Sequence, residues 1–283
     1  MTIRHIFAAI ILAIAPYATH AAEPVDSTDY DADPYFILTG EADAAIAEQN
    51  WPEAAARLAD AIAVRPDAAT NPLLINNLAT VYTYMGLDSL ALATYDRALE
   101  AAPSMVTTRL GRGKLLLRMG RDIDAFHEFD SVLDIDSLST DACYYHGMIA
   151  LYAGNREMAE HDFDVMHRVA PQAYDTALAL ATLYSLTGRD RQAIPYLEKL
   201  IEADPSAEFF ASLAGCHLAL GDLTEASAVI TRGMKSFPDD PELYYYRAWL
   251  NRDRYRLDDA REDARKAIDL GASPIKVNEL FNK

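Results

Sequence analysis

Residues 140–173 read TDACYYHGMIALYAGNREMAEHDFDVMHRVAPQA, and the marks within this stretch decide the fold because they recur along the chain. Apolar residues on either side of Gly154 recur at intervals of three and four, which predicts two amphipathic helices. Gly154 relaxes the backbone at the turn between them. Ala159 and Phe163 then share a face of the second helix, and Pro171 ends it. The stretch therefore predicts one helix–turn–helix unit.

The same marks return at intervals of 33 to 37 residues. The alanines that follow each turn are Ala54, Ala91, Ala125, Ala159, Ala193, Ala226 and Ala260. The turn glycines are Gly86, Gly120, Gly154, Gly188 and Gly221. Gln49 and Tyr255 occupy the glycine position of the first and last copies. Because one helix pair cannot bury its own apolar face and stacked pairs can, the period predicts a repeat array.

These marks resemble the tetratricopeptide repeat, a helix–turn–helix unit of about 34 residues. The resemblance implies an all-α fold, a right-handed α-solenoid of seven helix–turn–helix repeats with a short C-terminal capping helix over 274–283. The predicted repeats are 35–68, 72–105, 106–139, 140–173, 174–206, 207–240 and 241–273. An atypical last repeat and an extra helix are what an array needs to cover its exposed apolar end.

The amino-terminal residues predict export of a bacterial type. Arg4 precedes an unbroken apolar run over residues 6–15, and small residues then offer a cleavage site, so a signal peptide is predicted over 1–21. Pro16 interrupts the run too early for the roughly 20 apolar residues of a membrane anchor. The following segment, 22–34, has five acidic residues and no basic one, which predicts a disordered acidic stub. We expect a periplasmic or cell-envelope protein, with secretion left open.

The composition narrows the class of partner. The chain has 43 Asp and Glu against 25 Lys and Arg, a net charge of -18, which argues against nucleic acid as a partner because phosphate binding needs a surplus of cations.

The composition also favours helices: alanine, the best helix former, occurs 49 times. Two cysteines are too few for a disulfide framework. We expect Cys143 and Cys216 to be free, packed thiols.

Two sequence patterns resemble known sites, a phosphate-binding loop and a zinc site, and we interpret neither as functional. The glycines of residues 111–114, GRGK, fall inside a predicted helix, and Leu115 replaces the Ser or Thr of a phosphate loop. His127 and His161 occupy equivalent positions among carboxylates, and we interpret them as solvated surface rather than zinc ligands. We therefore expect no enzyme activity, no catalytic or metal-ligating residues and no cofactor.

The family resemblance also implies where a partner binds. In tetratricopeptide arrays the first helix of each repeat lines a concave groove. Carried onto this sequence, the candidate peptide-binding groove residues are Tyr84, Lys114, Leu117, Arg118, Tyr144, Met148, Tyr152, Tyr245 and Trp249. Aromatic and arginine side chains dominate interface energetics. The alternative reading is that several of these tyrosines are packing residues.

We interpret the chain as a non-enzymatic protein–protein interaction adaptor or scaffold of the bacterial cell envelope that binds a peptide segment. The alternative is a glycan- or substrate-binding accessory domain of an envelope enzyme or transport complex, since stacked aromatics also serve sugars. A chaperone carboxylate clamp is not expected, because Asn77 alone matches its pattern. The expected partners are other proteins, without nucleic acid and without a membrane span after signal cleavage. Self-association is left open.

Overall fold

A computed structural model describes residues 33–282, so the predicted signal peptide over 1–21 and most of the predicted stub lie outside it. Every regular element within 33–282 is a helix: fifteen follow one another, as seven helix–turn–helix pairs and a short final helix. The prediction of an all-α repeat array with a capping helix is confirmed.

The chain divides into two compact units, Met1–Gly154 and Asn155–Lys283. The first unit holds α1 (Pro34–Ala47), α2 (Trp51–Val64), α3 (Asn71–Tyr84), α4 (Asp88–Ala101), α5 (Val106–Arg118), α6 (Asp122–Ile135) and α7 (Thr140–Tyr152). The second holds α8 (Arg156–Val169), α9 (Tyr174–Leu186), α10 (Asp190–Ala203), α11 (Ala207–Ala219), α12 (Leu223–Ser236), α13 (Pro241–Asp253), α14 (Leu257–Asp269) and α15 (Pro274–Glu279). Within each unit, every helix packs against the helix that follows it in the chain.

The first helix begins slightly earlier than the sequence indicates. Asp33, predicted to belong to the acidic stub, is the N-cap of α1, and its side chain accepts a hydrogen bond from the Tyr35 backbone nitrogen at 2.9 Å. Pro34 is the first helical residue, a position where its missing N–H costs nothing. Asp33 also forms an ion pair with Arg65. Asp33 and Pro34, the last two residues of the predicted stub, are thus part of the fold.

The turns explain the glycine period. Gly86, Gly120, Gly154, Gly188 and Gly221 all have φ between 68° and 84°, the left-handed region in which a Cβ atom is strained. Gln49 and Tyr255, the two substitutes, adopt the same conformation at φ 57° and 60°. The turn geometry is therefore constant, and these two repeats tolerate a strained residue in order to keep it.

Replacing Tyr255 by glycine is expected to raise the free energy of unfolding by about 0.5–1 kcal/mol, because the left-handed conformation no longer opposes a Cβ atom. The ring is 91% exposed, so little packing is lost. Urea denaturation measures the change. Tyr255→Ala is the matched control, since it removes the ring and keeps Cβ. An equal gain in Tyr255→Ala would show that backbone strain is not the cause.

Small residues allow the helices to approach closely. A Cβ atom added at Gly113 in α5 would lie 2.7 Å from Cζ of Phe129 in α6, a side chain that is fully buried. A Cβ atom at Gly111 would lie 2.8 Å from the Tyr95 hydroxyl oxygen. The glycines of residues 111–114 therefore serve helix packing.

The final helix covers the end of the array, as predicted. Val277 and Leu280 of the last segment are buried against Tyr245 of α13 and Ala264 and Ala267 of α14. The small residues of α14 leave room for this layer. Burial of these apolar surfaces stabilises the terminal repeat, whose outer face would otherwise meet water.

Candidate functional site

Five of the nine predicted groove residues are buried, which corrects the prediction that they line an open groove. They are Lys114, Leu117, Tyr144, Met148 and Tyr245, with exposed fractions between 0% and 8%. Leu117 and Met148, at 3% and 0%, belong to the packed interior. The alternative reading of packing tyrosines holds for Tyr144 and Tyr245. The prediction assigned groove residues from their position in the first helix of each repeat. That position alone does not indicate which side chains are covered by neighbouring helices.

In the seventh repeat the capping segment covers the candidate residues. Nζ of Lys276 lies 4.3 Å from the centre of the Tyr245 ring, and burial raises the pKa of Tyr245. The half-buried Trp249 donates from Nε1 to Asp253 Oδ2 at 2.8 Å, and its ring stacks on Tyr246. These aromatics therefore hold the capping segment in place.

The two predicted groove cations of the first unit are already paired. Nζ of Lys114 lies 2.9 Å from Asp141 Oδ2 and 5.1 Å from the centre of the Tyr145 ring. Arg118 forms an ion pair with Asp88. The predicted groove therefore has no separate basic patch, and it presents aromatic surface beside neutralised charges.

Three of the predicted groove residues lie at equivalent positions and are at least partly exposed to solvent. They are the last residues of three first helices: Tyr84 of α3, Arg118 of α5 and Tyr152 of α7. We call them the terminal row. Tyr84 is 38% exposed, the Arg118 side chain 39%, and Tyr152 is half-buried. Nη1 of Arg118 donates to the backbone oxygen of Thr83 at 3.0 Å, which places its guanidinium beside the end of α3. Consecutive repeats of the first unit thus each contribute one large side chain at the same helical position.

Trp51, the first residue of α2, is not among the groove residues predicted from the sequence. Its ring lies parallel to that of Tyr84, with centroids 4.5 Å apart and an angle of 7° between the planes. Leu87 and Leu90, at the start of the next second helix, are 42% and 47% exposed. The spacing of 34 residues within the terminal row was visible in the sequence and could have singled it out.

The cysteines and histidines occupy the expected environments. Cys143 and Cys216 are buried and no disulfide joins them, and burial raises the pKa of the Cys216 thiol to about 12. His127 and His161 are exposed. Within residues 33–282, no group of three or more His, Cys, Asp or Glu side chains is placed to hold a metal ion. The described helices are all too short or too polar to cross a membrane.

Comparison with known families agrees with the helix pairs. Family models described as tetratricopeptide repeat match residues 174–206 and 193–250. The chain is a tetratricopeptide repeat protein. Human DnaJ homolog subfamily C member 7 is 26% identical over 182 residues, which cover 64% of this chain and 33% of that protein. This repeat protein thus spans about a third of the length of the curated relatives it matches.

Solved structures share the fold of this tetratricopeptide repeat protein. A tetratricopeptide repeat protein from Parabacteroides merdae superposes with a TM-score of 0.62 at 22% identity, covering 88% of this chain and 98% of its own. PilW, described as a type IV pilus biogenesis factor, superposes with a TM-score of 0.62 at 22% identity, covering 74% of this chain and 96% of its own. YrrB, described as having an unusual peptide-binding site, gives 0.57 at 19% identity, covering 67% and 98%.

Proposed function

We propose that this tetratricopeptide repeat protein is a non-enzymatic protein–protein interaction scaffold of a bacterial cell envelope, and that it binds a peptide segment of its partner along the terminal row. The observation that carries the proposal is the placement of Tyr84, Arg118 and Tyr152 at the ends of three successive first helices. Tyrosine and arginine are enriched among residues that dominate binding energy.

The chemistry of the row suits a peptide. Tyr84 and Trp51 form a rigid stacked pair, which offers apolar area at a small cost in side-chain entropy. The Arg118 guanidinium, held by Thr83 and Asp88, presents N–H donors of fixed direction beside this pair. An extended peptide supplies backbone carbonyls for those donors and side chains for the aromatic surface. YrrB, which shares the fold and is described as having a peptide-binding site, supports the same class of ligand.

The envelope location rests on two supports. The amino-terminal apolar run has the pattern of a signal peptide. PilW, which shares the fold, is described as a pilus biogenesis factor. The glycan alternative depended on stacked aromatics that include Tyr144 and Tyr245, and the burial of both favours a peptide.

The triple variant Tyr84→Ala, Arg118→Ala, Tyr152→Ala tests the proposal. We expect recovery of the partner from native envelope extract, quantified by mass spectrometry, to fall about tenfold or more, because three contact side chains are removed. The helical circular dichroism signal should be unchanged.

The matched control is Tyr174→Ala, Arg97→Ala, Tyr255→Ala, which removes two tyrosines and one arginine from other exposed places. It should recover the partner as the wild type does. Equal recovery by both triple variants would contradict the terminal row as the binding surface. Specific retention on a glycan array, without any protein partner, would favour the accessory-domain alternative.

A further inference from the structure

Three repeats share an internal ion pair between their two helices. In the first, Arg57 Nε lies 3.2 Å from Glu41 Oε2. In the third, Arg112 Nη1 lies 2.6 Å from Glu128 Oε1, and in the seventh Arg247 Nε donates to Asp263 Oδ1 at 3.0 Å. The partners are always sixteen residues apart, one on the first helix and one on the second. A charged pair in this register is thus a device that the array uses repeatedly.

In the third repeat the arginine also reaches the preceding repeat. Nε of Arg112 lies 2.8 Å from Asp96 Oδ1 on α4, so one guanidinium spans the space between the second helices α4 and α6. The Arg112 side chain is 21% exposed and Glu128 12%. The guanidinium fills the space over α5 and joins a carboxylate on each side.

The fifth repeat lacks this arginine. Leu180 and Tyr196 occupy its two pair positions, and Asp164 of α8 occupies the position that Asp96 has on α4. A cavity of about 490 Å³ lies here, with walls from α8 and α10 and a floor that includes the buried Leu180 and Leu183 of α9. Carboxylates of Glu157, Glu160 and Asp164 line the α8 side.

Aromatic rings complete the cavity. Tyr184 and Tyr196 line it with ring centroids 5.9 Å apart, and His167 packs edge-on against Tyr196. The chain's own Arg189 shows that this wall accepts a guanidinium: its Cζ lies 4.7 Å from the centre of the Tyr184 ring, and its Nη2 lies 2.6 Å from Glu160 Oε1. Asp164, by contrast, has an ion pair with Arg168 at 3.5 Å that is largely exposed to solvent.

We propose that this cavity, which is separate from the terminal row, binds an arginine side chain of a basic peptide segment of a partner protein. The entering guanidinium takes the place that Arg112 fills in the third repeat, between the Asp164 carboxylate and the Tyr196 ring. Planar guanidinium groups combine carboxylate pairing with stacking on aromatic faces, which a lysine ammonium does less well. The net charge of -18 favours the approach of a basic segment.

The probe is a capped hexapeptide of alternating glycine and arginine, titrated into the full ¹⁵N-labelled chain. We expect amide shifts concentrated in α8, α9 and α10, and binding at least several-fold tighter than that of the matching lysine peptide. Equal binding of the lysine peptide would overturn the guanidinium assignment, and shifts spread evenly over all acidic helices would overturn the site.

Two variants with one control decide the geometry. Glu157→Gln with Asp164→Asn should weaken binding about tenfold, and Glu100→Gln with Asp134→Asn, which removes two exposed carboxylates elsewhere, should not. Equal weakening by both pairs would overturn the proposal, because it would indicate a general charge effect.

Leu180→Arg supplies the missing internal guanidinium and should block the peptide. Arginine at the same position in the third and seventh repeats is compatible with the fold. A folded Leu180→Arg protein that binds like the wild type would overturn the proposal, and if this variant does not fold, the carboxylate pair decides. The terminal-row triple variant should bind the hexapeptide normally, so failure of either proposal is distinguishable from failure of the other.

Discussion

Replacing Phe129 by alanine is expected to lower the free energy of unfolding by about 3–5 kcal/mol, a large fraction of the stability of a typical domain. The ring is fully buried in α6, stacks on Tyr145 at 5.1 Å between centroids, and fills the space that Gly113 leaves open. Its removal loses transfer free energy and leaves a cavity between two repeats, because the helices on either side relax only partly. Urea denaturation followed by circular dichroism measures the loss.

Ile123→Ala is the control for this substitution. Ile123 lies on the same helix and is 76% exposed, so its loss should change stability by less than about 0.5 kcal/mol. Because repeat arrays unfold in sections, hydrogen exchange should locate the Phe129→Ala effect in α5, α6 and α7. A loss below about 1 kcal/mol for Phe129→Ala would mean that the ring does not join the repeats as described.

Replacing Asp263 by alanine is the second large effect, about 2–4 kcal/mol of unfolding free energy. Asp263 is 6% exposed and accepts hydrogen bonds from Arg247 and, at 2.9 Å, from Asn251 Nδ2. Its truncation leaves the guanidinium and the amide without their acceptor inside the cleft between α13 and α14. Only the carboxylate of this pair is buried: the Arg247 side chain is 39% exposed, so solvent offsets part of the loss and the expected cost is below that of a fully buried pair.

Urea denaturation and hydrogen exchange over residues 241–282 measure this effect. Asp258→Ala, on the same helix with a fully exposed side chain, removes the same charge and should change stability by less than about 0.5 kcal/mol. If the two variants lose the same amount, net charge rather than the Arg247 pair accounts for the loss. Faster exchange confined to α13, α14 and α15 is the expected pattern, since neighbouring repeats contribute their own stability.

The helix pairs were predictable from the sequence because the recurring residues that identify them meet local backbone requirements. The left-handed turn favours glycine at Gly86 and its equivalents, and close helix packing requires a residue without Cβ at Gly113. Such requirements act within one repeat and so appear at a fixed period. The strained Gln49 and Tyr255 show that the turn persists even where the marker residue is lost.

The candidate site was less predictable, because exposure depends on neighbouring elements. The position within the repeat assigns Met148 and Tyr245 to a groove, but the packing of neighbouring elements decides whether a side chain is covered. Tyr245, for example, is covered by the C-terminal segment that contains Lys276. Stacking of Trp51 on Tyr84 joins the start of α2 to the end of α3, two different positions of successive repeats. The internal ion pairs are visible as charges sixteen residues apart, but only the structure shows that Leu180 leaves a cavity.

The claim that the terminal row contacts a partner is tested most directly by photo-cross-linking from single positions. Benzoylphenylalanine is introduced at Tyr84 or Tyr152, and at Tyr174 or Tyr255 as controls with exposed aromatic rings. We predict that, in native envelope extract, positions 84 and 152 yield adducts with the same partner protein and that positions 174 and 255 yield none. Adducts from the control positions alone, with none from 84 and 152, would contradict the account.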